Sequence, residues 1–306
     1  TSSSVAARGA SARPSRERIA VVAQAVHAGA AKDDDAFAAA FFASPTSTGA
    51  MAATQARSVE IDAGGLRFPP TDLRAALPQQ LLLLEAAQQL ASTLERLPHE
   101  RTSVLVGMQC DAEVARHAIR WCGDRAWVEA LPDALRNEPL SAASVVGCMP
   151  NIVANRLSHQ LDFKGPSYTV SSEEASGTVA LELGVRALRA GDIDAAVVGA
   201  VDLACEPVQQ AAALALLPKN RSTPGDAAVL MVLKRHSDAL RDGDEVLALI
   251  DAERHGPPSL ALALTDADAG LTPQLGHAHA ASGLLHVAAA VTACARRARP
   301  SRVGPM

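Results

Sequence analysis

Apolar residues run almost unbroken through IAVVAQAV (19–26), TSVLVGM (102–108), DAAVVGAVDL (194–203) and PGDAAVLMVLKR (224–235). Such β-branched runs, without alternation, predict strands covered on both faces. GPSYTVSS (165–172), EVLALIDAERH (245–255) and SLALALTD (259–266) are three further strand candidates. Helical text lies between them: DDDAFAAAFF (33–42), TDLRAALPQQLLLLEAAQQLASTLERL (71–97), and stretches from about 111 to 138 and about 142 to 162. Further helical text occupies ASGTVALELGVRALRAG (175–191), closed by Gly191, about 206–216, SDALRDGD, and HAHAASGLLHVAAAVTACARR (277–297) after its first residues. Thr71 or Asp72 is the expected cap of the 71–97 text, and Pro78 marks a break before a second helix. Strands alternate with helices, then two strands come in succession. That order indicates a layered α/β fold around a mixed, mainly buried sheet.

Composition narrows the picture. The chain has 306 residues, of which 48% are hydrophobic, 20% charged and only 3% aromatic, so its core is built from Ala, Val and Leu. A net charge of −5 and the lack of a basic stripe interleaved with aromatics argue against a nucleic-acid partner. No run of eighteen apolar residues occurs, so no membrane span is expected. The five cysteines, Cys110, Cys122, Cys148, Cys205 and Cys294, form no CxxC pair. They read as reduced, mostly buried thiols of a cytoplasmic protein. Residues 1–17 are rich in Ser, Ala and Arg and read as a linker cut from a longer polypeptide; a transit peptide is the alternative. There is no G-x-G-x-x-G or Walker loop. Asp33–Asp35 is read as an acidic helix start, favoured by the macrodipole, rather than a metal site. No cofactor is expected.

Four stretches then align with one family. LPQQLLLLEAA (77–87) looks like the DPQQRLLLEVA helix of modular β-ketoacyl synthases, and ANRLSHQLDFKGPSYTV (154–170) resembles their ANRISY…DLRGPS-x-TV segment. ALELGVRALRAGDIDAAVVGAVDL (180–203) resembles the helix and strand after their nucleophile. GHAHAASGLLHVAAAV (276–291) resembles GHTEAAAG, which carries their second catalytic histidine. The resemblance implies a thiolase-like fold, layered α-β-α-β-α, with two pseudo-equivalent halves. The halves are expected at about 18–236 and, abbreviated, at about 237–306. The second half looks short between Glu253 and Gly276 and after Arg297, which implies an exposed sheet edge covered by a partner or another segment.

In such a synthase a cysteine sits where a strand turns into a helix, and the helix N-terminus lowers its pKa and helps hold the oxyanion. Aligning GPSYTV with GPS-x-TV places Glu174 at that position. A carboxylate there is a poor acyl acceptor, because a mixed anhydride is too reactive to store a growing chain. An ionised Glu also repels a malonyl carboxylate. Glu173 and Glu174 equally suit a stabilising acidic helix start, and both readings imply loss of condensing activity. His277 matches the second histidine, whereas the H-G-T-G-T loop that supplies the other has no counterpart. His255 reads as a loop histidine, His279 and His286 as structural or relict rather than zinc ligands, and Cys205 as a buried thiol.

Chain length factors, which lack the cysteine and pair with an active ketosynthase, resemble this pattern. RFPPTDLRAALPQQLLLLEAA and EPLSAASVVGCMPNIVANRLSHQLDFKGPSYTVSSEEASG look like the chain-length-factor domain of bacterial polyunsaturated-fatty-acid synthases, where it follows a ketosynthase in one polypeptide. Glu at this position departs from the Gln usual in type II aromatic polyketide systems. The resemblance implies a pseudo-twofold heterodimer joined through Ser167, Tyr168, Thr169 and Val170, acting on acyl chains held by a carrier protein. Cys148, Met149, Pro150, Asn151 and Glu173 are candidates for the interface or for a wall of the acyl pocket, a core role being the equal alternative for Met149 and its neighbours. Two rivals stay open: a malonyl decarboxylase using Glu174 and His277, and a purely structural dimerisation scaffold.

Overall fold

The computed structural model describes residues 17–43, 54–109, 142–205, 207–219, 221–251 and 271–298. Six strands carry it: β1 Ile19–Ala28, β2 Thr102–Met108, β3 Ser167–Val170, β4 Ala195–Leu203, β5 Asp226–Arg235 and β6 Ala248–Ile250. They form one sheet in the order β3-β2-β4-β5-β1-β6. β2 runs parallel to β3 and to β4, while β4–β5, β5–β1 and β1–β6 are antiparallel. Every residue of β1 and β2 is buried, as their continuous apolar text requires. The sheet is mixed and mainly buried, as expected.

The helices are α1 Asp34–Phe42, α2 Pro70–Ala75, α3 Pro78–Gln89, α4 Ala91–Leu94, α5 Ala142–Gly147, α6 Ile152–Leu161, α7 Ser176–Ala190, α8 Pro207–Leu216, α9 His236–Asp242, α10 Thr272–Leu275 and α11 Ser282–Arg296. α1, α7 and α11 pack one face of the sheet through Phe37, Phe41, Ala180, Leu188, Leu284 and Leu285. α3 and α6 cover the other through Leu82, Leu83, Leu84, Val153 and Leu157. Three layers are therefore seen among the described residues. Residues after 236 add β6 to this same sheet beside β1, and α11 to its face.

Several local expectations change. α2 begins at Pro70 with Pro69 as its N-cap, not at Thr71 or Asp72, because a proline at the first turn has no N–H to satisfy and its φ suits the helix. The 71–97 text makes three helices, since Pro78 and the turn at Leu90 each interrupt it. The 142–162 text makes two, parted by the turn at Cys148–Asn151. Of the described part of the 245–255 run, residues 245–251, Ala248–Ile250 pairs as a strand. Asp33 does cap α1, accepting the Ala36 N–H at 2.8 Å, with Asp34 and Asp35 in the first turn. Of the thiols, Cys205 is buried, Cys148 half-buried and Cys294 exposed. Residues 1–16, the helical text at 111–138 with Cys110 and Cys122, His255 and the run 259–266 lie outside the described residues.

Two close backbone approaches draw α7 and the segment before α11 against the sheet. Gly107 of β2 lies against the start of α7; a Cβ there would fall 2.4 Å from the Ser176 carbonyl carbon. Gly276 takes φ of +75°, and its backbone meets the Pro224 carbonyl. Only glycine fits either place cheaply.

Candidate active site

The turn between β3 and α7 is pinned from inside. Ser176 Oγ donates to the Glu173 carbonyl at 2.6 Å and accepts the Ser172 N–H at 2.9 Å. This holds Glu173 at φ +50°, a left-handed conformation unusual for a residue with a side chain. Glu173 and Glu174 precede the helix rather than occupying its first turn, which holds no acid; the helix-acid reading is corrected on this point. The Glu174 carboxylate is engaged elsewhere. Its Oε2 accepts from Arg221 Nη1 at 2.8 Å, and its Oε1 lies 3.1 Å from His277 Nε2.

His277 is brought there by the chain's own backbone. Its N–H donates to Thr223 O at 2.8 Å, and its carbonyl accepts from Gly225 N at 3.1 Å, forming a parallel bridge with Pro224 at the entry to β5. Ser282, at the start of α11, lies with Oγ 3.3 Å from His277 Nδ1. An ionised Glu174 only accepts, so Nε2 carries the imidazole proton and Nδ1 accepts from the serine hydroxyl. The result is a chain of contacts, Ser282 to His277 to Glu174 to Arg221, drawn from three separate segments. Burial lowers the His277 pKa, opposed by the neighbouring Glu174 charge. The imidazole is thereby kept neutral and able to take a proton.

His279 stands edge-on to His277, ring centroids 6.5 Å apart, but makes its polar contacts elsewhere. Its Nδ1 lies 3.2 Å from Asp202 Oδ2 and its Nε2 3.6 Å from Glu173 Oε2. The hydrogen bond to Asp202 raises its pKa despite burial. Asp202 also accepts the Ala280 N–H at 3.2 Å, so the pair fastens the turn before α11 to the end of β4. His286 donates through Nδ1 to the Ser282 carbonyl, 2.7 Å away, since that oxygen can only accept. Cys205 is sealed away beside Asp226; burial and that carboxylate push its thiol pKa up to about 12.

Glu174, Ala175, Thr178, Arg221, Thr272, His277, Ser282, Gly283 and His286 line one cavity of about 330 Å³. It joins the two sequence-matched positions, Glu174 and His277, and adds Arg221 and Ser282, which sequence reasoning missed. A lone loop arginine and an alanine-rich helix start carry no signal in one sequence.

Cys148, Met149, Pro150 and Asn151 do not line this cavity; they form the turn after α5. Gln80 holds that turn by donating to Gly147 O at 2.8 Å and accepting from Arg156 Nε at 2.9 Å. Met149 is 40% exposed there, near Val145 and Val146 in sequence, which are also exposed. Ser167, Tyr168, Thr169 and Val170 form β3 at the end of the sheet, paired on one side only among the described residues. Val104 N bonds Pro166 O, and Val104 pairs in register with Ser167. In a parallel ladder this turns the N–H groups of Tyr168 and Val170 toward β2 and those of Ser167 and Thr169 outward. Tyr168 is 43% exposed.

A family model described as "Beta-ketoacyl synthase, N-terminal domain" matches residues 25–239. Non-reducing polyketide synthase olcA of Penicillium canescens is 30% identical over 229 residues, covering 71% of this chain and 9% of that protein. Fumosorinone synthetase of Cordyceps fumosorosea is 33% identical over 209 residues, covering 62% of this chain and 5% of that protein. The chain thus spans less than a tenth of these relatives' length. Among solved structures, the oxazolomycin ketosynthase domain OzmH KS8 of Streptomyces albus JA3453 superposes with a TM-score of 0.59 at 22% identity. That match covers 92% of this chain and 80% of that one. The ketosynthase from module 1 of the bacillaene synthase of Bacillus amyloliquefaciens FZB42 gives 0.62 at 19% identity, covering 91% and 64%. These superpositions show a mixed α/β, thiolase-like fold, a sheet with flanking helices. Among the described residues no helix is long and apolar enough to cross a membrane.

Proposed function

The chain belongs to the β-ketoacyl synthase family as a ketosynthase-type domain of the polyketide synthase kind, and from that premise we propose that it is a chain-length-factor-like member without condensing activity. It pairs with an active ketosynthase, sets the length of that partner's acyl pocket, and works within a polyunsaturated-fatty-acid or polyketide synthase. One observation carries this reading: the group at the strand-to-helix turn is a carboxylate, and it is tied to His277 and Arg221. A thiolate at such a turn is a nucleophile that stores an acyl chain. A carboxylate held between an imidazole and a guanidinium is neither free nor suited to that storage.

The sheet edge supports the pairing. β3 directs the N–H groups of Ser167 and Thr169 away from β2, and Tyr168 is exposed beside them. A strand of a second ketosynthase-like domain docked there extends the sheet and covers that edge. Met149 and its exposed neighbours are the candidates for contact with the partner's acyl tunnel. Each methylene buried in such a tunnel gains about 0.8 kcal/mol, while a wall imposes a steric stop.

The test is co-expression with an active ketosynthase domain of the same synthase, with mass measurement of the complex and analysis of the acyl products. A 1:1 complex whose product length shifts when Met149 is replaced supports the reading. A complex whose product length never shifts makes the chain a scaffold. Carbon dioxide released from malonyl-carrier protein by the chain alone, and lost in His277→Ala, makes it a decarboxylase. Either of these overturns the length-setting role.

A further inference from the structure

The family resemblance gives no role to a serine in the cavity, yet one faces the site histidine. Ser282 is 8% exposed, lines the cavity, and places Oγ 3.3 Å from His277 Nδ1. On the far side of the ring, Nε2 meets Glu174 Oε1 at 3.1 Å. Hydroxyl, imidazole and carboxylate thus stand in hydrogen-bonding series, the arrangement by which a base activates a nucleophile and a third group orients the base. We propose that Ser282, His277 and Glu174 form a hydrolytic relay that cleaves short acyl thioesters through an ester on Ser282. This adds an activity to the site that does not condense, and its thioester substrate class rests on the family membership stated above.

The contacts set each role. Glu174, fixed by Arg221, sets the tautomer with the proton on Nε2 and stabilises the imidazolium that forms. Nδ1 takes the Ser282 proton as Oγ adds to the thioester carbonyl. Collapse breaks the C–S bond, and the expelled thiolate leaves with the proton from Nδ1. Water then adds to the seryl ester, giving its proton to Nδ1. Collapse returns that proton to Ser282 and frees a carboxylic acid. Gly283 lies next to the nucleophile on the cavity wall, in the first turn of α11. The volume of about 330 Å³ suits a short acyl group, and Glu174 disfavours an anionic one such as malonyl.

The test uses the whole chain with acetyl- and butyryl-N-acetylcysteamine, following thiol release. Turnover is expected for the wild type, with a loss on the order of 10³-fold or more in Ser282→Ala and in His277→Ala, and no further loss in the double variant, because a relay acts as a unit. A fluorophosphonate should label Ser282 in the wild type, located by peptide mass, which requires no variant to fold. Thiol release that survives Ser282→Ala, no release above the uncatalysed rate, or a fluorophosphonate that leaves Ser282 unlabelled overturns the proposal. Complex formation with a ketosynthase, measured in parallel by size, is expected to be unchanged in Ser282→Ala. It therefore reports separately on the partner reading.

Discussion

Glu173 stands at φ +50° because Ser176, fully buried, bonds the backbone on both sides of it. Replacing Ser176 by Ala removes two part-buried hydrogen bonds to the backbone, a loss of about 1–3 kcal/mol in all. Urea denaturation should show that loss, and an unchanged midpoint would mean that the turn is held by other contacts. The two site histidines respond oppositely to acid. The pKa of His279 is raised above its ordinary 6.5, so its contribution to stability is complete below 6.5 and fades as pH rises through the folded value. That of His277 is lowered, so its contribution is complete above 6.5 and erodes as pH falls below it. His279→Gln removes the first effect and, with it, the minor repulsion by which His279 helps to lower the His277 pKa, leaving burial as the main cause of the second. Its stability should therefore fall more steeply than the wild type's between about pH 7 and about pH 5, as read by melting temperature across that range. Glu174 and His277 were found from sequence only through matched motifs, since 103 residues separate them. Ser282 and Arg221 were not found, because serine in a helix start and arginine in a loop are ordinary until a fold brings them to one imidazole.

At the level of single elements, the strands were the most legible. The 102–108 run became β2 with the same bounds, because a continuous apolar segment buried on both faces has one stable solution. Helix limits were less legible where prolines sit. The helix expected from Thr71 or Asp72 with a break at Pro78 is indeed broken there, but it opens at Pro70, ahead of the polar residues expected to cap it. β2 also carries Gly107 under α7. Gly107→Ala forces a methyl against the Ser176 backbone, and a loss of about 1–3 kcal/mol, or more if α7 cannot shift, is expected in denaturant titration. On β3, Thr169→Pro removes an outward N–H without touching a bond to β2. It should abolish the complex with a ketosynthase while leaving the melting temperature within a few degrees. A complex of undiminished affinity would place the partner on another surface.

Taken whole, the molecule is a sheet whose chemistry lies along one end. The β3–α7 turn, the loop before β5 and the turn before α11 meet there, and none of them carries the cavity alone. Fold class was legible in the alternation of strands and helices, whereas strand order was not. Nothing in the text of residues 19–28 says that this strand lies between β5 and β6 rather than beside β2, its next strand in sequence. That order has a consequence during synthesis. At about 5–20 residues per second, roughly 10–40 s separate the appearance of β1 from that of its antiparallel neighbour β5. For that interval the nascent chain presents a ten-residue strand, greasy but for Gln24 and His27, with no ladder to join. A stop codon just before Asp226 is therefore expected to yield aggregates instead of a smaller soluble protein, as read from the pelleted fraction of the expressed chain.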